Sequence, residues 1–427
     1  MTVIRLRKMS FPCYSYSMRK QKNGALLVIA GVAAALIGVY TYFSLSAGTM
    51  RVAFYGLPEP IVRSLSSWLD AQGTEWKAFV LDDTKPLRAH IAKTVQYDLL
   101  FTYDGANMDT VEPIVRNAET AVLQNLPFPI RVAVQTDGRL TGTPLLSDPF
   151  ELLCSKKNFN QLNAAPTPFS LARLEALGFE KKSAQERSGA APFLCAGKDD
   201  THLLMFFSSL LEAQEGIEAF NEATYLLKEN PDGLFSSFFA SAAVKRTVER
   251  IGLWQKYGLL PHEWLQLSTE DAALSAEKEQ PLVVFAPLSF YRSLSEGASR
   301  KYTLWFMPSQ TSSAKHFLIA DTVAALQFSV PKSPFQNAAQ ATEKLAKGRA
   351  LIREAASVAA QTALVSSTRL LPVNAEVQTD VPSQSALRYV TAADGIMPEI
   401  AQTVFVSKDD KSAFAQLLRE RIQKAAE

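Results

Sequence analysis

The sequence predicts an α/β protein of two or three lobes, in which helices cover mainly parallel sheets. The chain has 427 residues, more than one ordinary domain of roughly 100–200 residues. From residue 51 onward, short apolar segments alternate with segments whose apolar residues recur at helical spacing. The hydrophobic share of 47% is ample for sizeable cores. Together these observations favour a multi-lobed globular α/β fold.

The first elements after residue 50 follow a β-α-β-α-β order. Strands are predicted at 51–56, 76–81 and 97–103, and helices at 61–69 and 87–95. Gly73 ends the first of these helices. This order is typical of a mainly parallel sheet with helices on its faces.

After these elements, the sequence pattern predicts that the chain crosses from one lobe to the next. Asp137 and Gly138 mark a turn, and 144–154 reads as a strand that crosses between lobes. The later predicted strands are 192–197, 281–287, 302–308 and 321–331, and the later predicted helices are 171–178, 202–213, 241–258 and 412–427.

The N-terminus has the features of an export signal or membrane anchor. Residues 25–43 carry no charge and approach the ~20 residues that cross a bilayer. Residues 1–24 contain six basic residues and no acid, which favours a cytoplasmic N-terminus. Small residues at 44–50 suit a signal peptidase. The chain is therefore expected outside the cytoplasm (periplasmic), either soluble after cleavage of 25–47 or tethered to the inner membrane by 25–43.

Cleavage and retention of this region both stay open. The apolar run is longer than a usual signal core, which favours retention slightly. A buried core helix is a third alternative. Met18 opens a segment of normal signal form, so translation starting at Met18 instead of Met1 is a hypothesis. Cys13 precedes the apolar run, which argues against a bacterial lipid anchor.

Composition and motifs exclude several function classes. A net charge of +2 does not favour a nucleic-acid surface, and three cysteines cannot make a disulfide-rich scaffold. Four scattered histidines lack metal-ligand spacing. The short motifs of serine hydrolases, zinc proteases, P-loop proteins and dinucleotide-binding proteins are absent from the sequence. We expect no enzyme, cofactor or metal, although a glycosidase stays open because its carboxylates have no short signature.

Cys154 and Cys195 fall on two predicted strands of one lobe. A disulfide is one reading, since an oxidising compartment would permit it. Two buried free thiols are the favoured reading.

Four segments of the chain carry a resemblance when they are taken in order. The first is the strand at 97–101, and the second is the crossing strand and turn at 144–163. The third is 279–291, and the fourth is the loop 394–405 before the terminal helix. Each segment alone is weakly specific, but their order over about residues 50–427 resembles the sugar-binding group of extracytoplasmic solute-binding proteins of ABC transporters.

The resemblance implies a type II periplasmic-binding-protein fold, with two lobes of mixed, mainly parallel sheets flanked by helices and joined by a hinge. The implied lobes are 49–146 plus about 288–335, and 147–287 plus about 336–427. The implied function is capture of a sugar or related polar solute and its delivery to ABC permease subunits by a monomer.

Three departures from the family pattern put the ligand in doubt. Leu288 and Val406 stand where the family has tryptophans, and Ala401 replaces a proline of the late loop. The expectation of a malto-oligosaccharide is therefore dropped. A tethered sensor or scaffold without an import role, and a glycerophosphodiester ligand, are the alternatives.

Ligands of such sheets lie beyond the carboxyl ends of the strands, so polar and aromatic residues there are the candidates. Carboxylates and amides bind paired hydroxyls, and aromatic faces cover the apolar side of a sugar ring. The candidate ligand-binding residues are Tyr55, Glu59, Tyr103, Asp104, Asn107, Ser147, Asp148, Lys198, Asp199, His202, Ser289, Phe290, Tyr291, Gly395 and Met397.

Overall fold

The computed structural model describes most of the chain from residue 49 to residue 427. The description omits residues 1–48, 92–96, 125, 137–138, 163–168, 186–190, 231–233, 311–316, 330–337, 381–385, 387–389 and 392. The predicted export segment, the alternative start at Met18 and the Asp137-Gly138 turn lie outside the described residues.

The described part of the chain alternates strands and helices, as predicted. The strands are β1 (Met50–Tyr55), β2 (Trp76–Val80), β3 (Leu99–Tyr103), β4 (Gln135–Thr136), β5 (Arg139–Leu140), β6 (Thr143–Ser155), β7 (Phe193–Cys195), β8 (Val283–Pro287), β9 (Tyr302–Trp305), β10 (Phe317–Gln327), β11 (Leu371–Pro372) and β12 (Gly395–Met397).

The helices follow the same numbering in chain order. They are α1 (Glu59–Ala71), α2 (Leu87–Ile91), α3 (Ala106–Val111), α4 (Thr120–Leu123), α5 (Phe128–Ala133), α6 (Lys156–Leu162), α7 (Leu171–Gln185), α8 (Asp200–Glu215), α9 (Ile217–Lys228), α10 (Ser236–Ala240), α11 (Ala242–Lys256), α12 (Thr269–Glu279), α13 (Leu288–Ser293), α14 (Glu296–Ser299), α15 (Ala338–Ala355), α16 (Val358–Thr368) and α17 (Lys408–Ala426). Short 3₁₀ turns cover Glu112–Ile114 and Trp264–Gln266.

The first lobe is built on the sheet order β2-β1-β3-β10-β6. Strand β1 pairs in parallel with both β2 and β3, as its apolar sequence predicts. Val52 and Phe54 face one core while Ala53 and Tyr55 face another, because side chains alternate along a strand. Both faces of this sheet are therefore covered, so its strands read as continuous apolar runs.

Two long strands connect the lobes. Strands β6 and β10 pair antiparallel, with Thr143 opposite Ala325 at one end and Pro149 opposite Ala320 at the other. The first half of β6 packs its leucines into the first lobe, and the second half packs Phe150 into the second. The predicted crossing strand 144–154 thus matches β6, and β10 is its partner.

The second lobe is built on the second half of β6. Strands β8 and β9 pair antiparallel with β6, and β7 pairs in parallel with β8. The sheets are therefore mixed, because the crossing strands add antiparallel pairs to the parallel ones. The largest core in the described residues packs this sheet against α8, α11 and α17 through side chains such as Phe206, Trp254 and Phe414.

The packing divides the chain differently from the predicted lobe ranges. Helix α13 and strand β9, within 288–335, pack with second-lobe residues. Helices α15 and α16, within 336–427, pack on the core of the first lobe. An amphipathic pattern shows that a helix is buried, but the pattern does not specify which sheet it covers.

Cys154 and Cys195 are both free and buried. The favoured reading of two buried thiols is confirmed.

Among the residues that the structure describes, no helix combines the length and apolarity that a membrane span requires.

Candidate functional site

A row of polar side chains crosses three neighbouring strands between the lobes. On the crossing strands, Asp321 lies opposite Asp148, and Thr322 lies opposite Ser147. Asp104 follows β3, where its backbone N–H donates to the Thr322 carbonyl at 2.9 Å. In return, the Thr322 N–H donates to Asp104 Oδ1 at 3.0 Å. Asp104, Ser147, Asp321 and Thr322 are at most 9% exposed, and Asp148 is partly buried, so the row is largely shielded from water.

The carboxyl groups of this row sit in unequal surroundings. Asp148 accepts hydrogen bonds from the Ser289 N–H at 2.9 Å and the Ser289 hydroxyl at 2.6 Å. Burial nevertheless raises the pKa of Asp148 to about 6. Burial raises the pKa of Asp321 to about 7, and that of Asp104 well above its usual range. These carboxyls therefore hold their protons more tightly than surface aspartates do.

Tyr103, at the end of β3, lies beside the same carboxyls. Burial, followed by the charges of Asp321, Asp148 and Asp104, raises the pKa of its hydroxyl well above the usual range. The phenol therefore stays neutral and can donate or accept a hydrogen bond.

Several buried polar atoms in and next to this row have no hydrogen-bond partner among the described residues. They are Asp104 Oδ2, Asp321 Oδ1, Asn107 Oδ1, Ser147 Oγ and Thr322 Oγ1. More than nine in ten buried polar groups of proteins are hydrogen-bonded. The concentration of unpartnered atoms at the crossing strands indicates a place where a polar guest completes the hydrogen bonding.

The late loop of the chain joins this row from the second lobe. Glu399 Oε1 lies 3.0 Å from Lys411 Nζ, and Lys411 donates to Gln402 Oε1 at 2.5 Å. Gln402 Nε2 in turn donates to the Asp104 carbonyl at 2.8 Å. The backbone of Gln402 accepts from the Ala106 N–H at 2.9 Å. This chain of contacts ties the two lobes together beside the aspartates.

Two features of the first lobe allow that close approach. Gly105 has φ +99°, and a Cβ there would lie 2.5 Å from the Gln402 carbonyl oxygen, so a side chain does not fit. The Tyr55 hydroxyl lies 2.8 Å from the Lys85 carbonyl and 2.7 Å from the Val406 carbonyl. Burial raises the pKa of Tyr55 to about 12, so the hydroxyl remains a donor between the lobes.

Some predicted site residues lie away from the row. Glu59 is exposed and forms an ion pair with Arg63 on α1. Lys198 is exposed after β7. Phe290 and Tyr291 pack in a core of the second lobe, and the Tyr291 hydroxyl donates to a backbone carbonyl. These four positions are structural or surface positions in this arrangement.

Other predicted site residues contribute to local structure by capping a helix, packing or pairing strands. Asp199 caps α8 by accepting from the His202 N–H at 3.1 Å. The His202 ring lies edge-on to Phe290 at 6.0 Å, and burial lowers its pKa. Gly395 and Met397 form β12, which pairs with β10. Of the sequence candidates, the structure brings together Tyr103, Asp104, Ser147, Asp148 and Ser289, with Asn107 on the adjoining helix α3.

Sequence reasoning missed Asp321, Thr322, Glu399, Gln402 and Lys411. Asp321 carried a usable signal, because an aspartate inside an otherwise apolar strand is rarely fully buried without a reason. Lys411 carried none, since a lysine in the first turn of an amphipathic helix reads as a surface charge.

A cavity of about 620 Å³ lies elsewhere, between Tyr291, Arg292 and helix α16. None of the aspartates of the row lines it. We place the site by its unpartnered buried atoms because these require a partner, whereas an open surface cavity does not.

No protein-family model matches the chain, and no curated protein matches it. Solved structures do match in fold. A bacterial solute receptor, AcbH, described with an exclusive preference for β-D-galactopyranose, is 14% identical, with a TM-score of 0.66 over 89% of this chain and 97% of that one. Maltose-bound MalE3 of T. maritima is 14% identical, with a TM-score of 0.57 over 87% and 99%.

RafE of Streptococcus pneumoniae is 11% identical, with a TM-score of 0.60 over 89% of this chain and 99% of that one. At such identities the likeness establishes the fold. The predicted two-lobed α/β class is confirmed, and the resemblance seen in the sequence holds at the level of fold.

Proposed function

We propose that this protein is an extracytoplasmic receptor that captures a sugar or related polar solute between its lobes and delivers it to an ABC permease. The observation that carries the proposal is the row of Asp104, Asp148 and Asp321 on and beside neighbouring strands, in which Asp104 Oδ2 and Asp321 Oδ1 are buried and have no partner among the described residues. A solute rich in hydroxyl groups supplies the missing donors. Buried oxygen acceptors that have no hydrogen-bond donor are costly in the empty protein. A solute that supplies the donors removes this cost, which favours the bound state.

The location of the row supports a receptor that works by closure. Asp104 belongs to the first lobe, while Ser289, which holds Asp148, belongs to the second. A guest that contacts both lobes favours the closed arrangement, because only a difference in affinity between two states shifts their equilibrium. The structural neighbours include receptors described with galactose, maltose and raffinose.

The charge of the row argues against the glycerophosphodiester alternative. A phosphate group carries negative charge, the ionised carboxyls of the row repel it, and the cation beside the row, Lys411, is already paired with Glu399. Like charges in a buried site repel strongly because the surroundings screen them poorly. A neutral or positively charged solute fits the row better.

The export segment supports the location and the partner. Residues 25–43 with their basic flank would carry the globular part across the membrane, either cleaved or retained as a tether. A permease in the same membrane then lies within reach of the receptor, which we propose to be a monomer without catalytic activity.

The test is a thermal-shift and calorimetric screen of the full chain against mono- and oligosaccharides and polyols. A ligand at 100 times its Kd adds about 2.7 kcal/mol to the free energy of unfolding. Asp148→Asn should abolish the response. Glu263→Gln, at an exposed position outside the row, should retain it. No response across the whole panel would refute the receptor proposal.

A further inference from the structure

The space between the lobes contains more acidic groups than basic partners. Asp104, Asp321 and Glu151 are buried, at 9% exposure or less, and Asp148 is partly buried. No Lys, Arg or His of the described residues lies within ion-pair distance of any of these four side chains. Glu399 is the one carboxyl beside the row that has its own cation, Lys411, at 3.0 Å.

The cations that reach the row are already engaged elsewhere. Lys411, whose charge acts on Asp104 and Asp321, is paired with Glu399. Arg292, whose charge acts on Asp148 and Glu151, pairs with Asp380 at 2.6 Å. The chain therefore leaves an acidic excess at the crossing strands.

Holding such an excess is costly without a counter-charge. An ionised carboxylate taken out of water loses several kcal/mol of hydration unless partners replace it. Asp148 has two donors from Ser289, but Asp104 Oδ2 and Asp321 Oδ1 have none among the described residues. The raised pKa values of Asp104 and Asp321 reflect the same free-energy cost of ionising a carboxyl away from water.

We propose that the captured solute is an amino sugar whose ammonium group lies among Asp104, Asp148 and Asp321. This rests on the receptor function proposed above. An ammonium group offers three N–H donors and one positive charge, which match three carboxyls on adjacent strands. Asn107, on helix α3, closely follows Asp104, and its unpartnered side-chain oxygen is close enough in sequence to accept a hydroxyl donor of the same ring.

A bound metal ion is a less suitable counter-charge. The described residues contain no group of three His, Cys, Asp or Glu side chains arranged to hold a metal. A metal also requires converging oxygen atoms at about 2–2.6 Å, while an ammonium group accepts partners at hydrogen-bond distance. A solute with both an amine and hydroxyl groups can bind the carboxyls of the row through the amine and the neighbouring Asn107 oxygen through a hydroxyl group.

The experiment compares matched ligands that differ at one nitrogen. Isothermal titration at pH 6, where an aliphatic amine is charged, measures D-glucosamine, D-galactosamine and chitosan oligosaccharides against the N-acetylated forms and the parent hexoses. We expect the amines to bind at least tenfold tighter. We also expect protons to be released on binding, because an ammonium group favours ionised carboxyls. Titrations in buffers of different ionisation enthalpy count those protons.

Variants that remove a carboxyl but keep the side-chain size test whether charge, and not shape, gives the preference for the amine. Asp104→Asn and Asp321→Asn keep the side-chain size and remove one carboxyl each, so both should reduce the preference for the amine and the number of protons released. Glu263→Gln is the matched control and should preserve both. Two substitutions on different strands keep the test valid if one fails to fold.

The outcomes distinguish the two proposals. Neutral sugars that bind as tightly as their amines would overturn the amino-sugar inference and leave the receptor function intact. Tight amine binding that both variants leave unchanged would also overturn it. A protein that binds neither this panel nor the wider sugar panel fails as a receptor, and the inference falls with it.

Discussion

Replacing Asp321 with asparagine should stabilise the empty protein at neutral pH, although the side chain lies in the proposed site. Asp321 is 9% exposed and lies directly opposite Asp148 on the paired strand. Like charges opposite each other in a sheet are destabilising. Asparagine has nearly the same size and carries no charge, so the substitution removes the electrostatic cost without leaving a cavity.

The magnitude follows from the pKa of Asp321, which burial raises from 3.8 to about 7. A carboxyl with a raised folded pKa binds its proton more tightly in the folded state than in the unfolded chain. Its cost is therefore absent below pH 3.8, grows as the pH rises, and is complete above about 7. Roughly three pKa units at about 1.4 kcal/mol each give a gain on the order of 4 kcal/mol for Asp321→Asn at pH 8.

Urea unfolding at several pH values, followed by tryptophan fluorescence, measures this gain. The difference between variant and parent should be near zero at pH 4 and should increase up to pH 8. Asp82→Asn is a control of opposite sign, because hydrogen bonds from Thr84 and Lys85 lower the pKa of Asp82 to about 2. Stability curves of parent and Asp321→Asn that run parallel across this pH range would refute the reasoning.

Two further predictions concern the contact between the lobes. Gly105→Ala places a Cβ 2.5 Å from the Gln402 carbonyl, so closure and ligand affinity should both fall, while Gly297→Ala, with no atom within 4 Å, should leave both unchanged. Small-angle scattering and calorimetry measure them, and an unchanged affinity for Gly105→Ala would contradict the closed geometry. Tyr55→Phe removes the hydroxyl shared with the Lys85 and Val406 carbonyls and should cost about 1 kcal/mol of unfolding free energy, measured in urea. Equal stability of Tyr55→Phe and the parent would show that this hydroxyl bond contributes nothing.

The sequence predicted the strands with the simplest patterns most accurately. Strands predicted at 51–56 and 144–154 correspond to Met50–Tyr55 and Thr143–Ser155. Both are continuous apolar runs bounded by turn residues, and burial on both faces produces that pattern. Strand β10 was predicted to start at residue 321, but it starts at Phe317. A buried aspartate in the middle of an apolar strand looked like its beginning.

The site was only partly predictable for a related reason. Asp104 directly follows a recognisable strand and Asp148 lies within the recognisable crossing strand, so both positions could be inferred. Glu399 and Lys411 lie about 300 residues away in sequence from Asp104, and their approach depends on how the late loop folds back over Gly105. Local patterns contain no information about such distant contacts. Phe290 was assigned to the site as an aromatic residue after a strand end, whereas its side chain packs in the second core.

In the proposed receptor, the same contacts would oppose closure of an empty site. A closure that brings Gln402 onto Asp104 would shield Asp104, Asp148 and Asp321 from water, so the cost of three poorly hydrated carboxyls would oppose the hydrogen bonds gained at the loop. Shifting a two-state equilibrium from 1:99 to 99:1 takes about 5.5 kcal/mol. One buried aspartate with a raised pKa accounts for a few kcal/mol, so two or three reach that range. A solute that supplies a positive charge and hydroxyl donors removes the cost in the closed state alone, and that difference in affinity is what a receptor needs to signal occupancy.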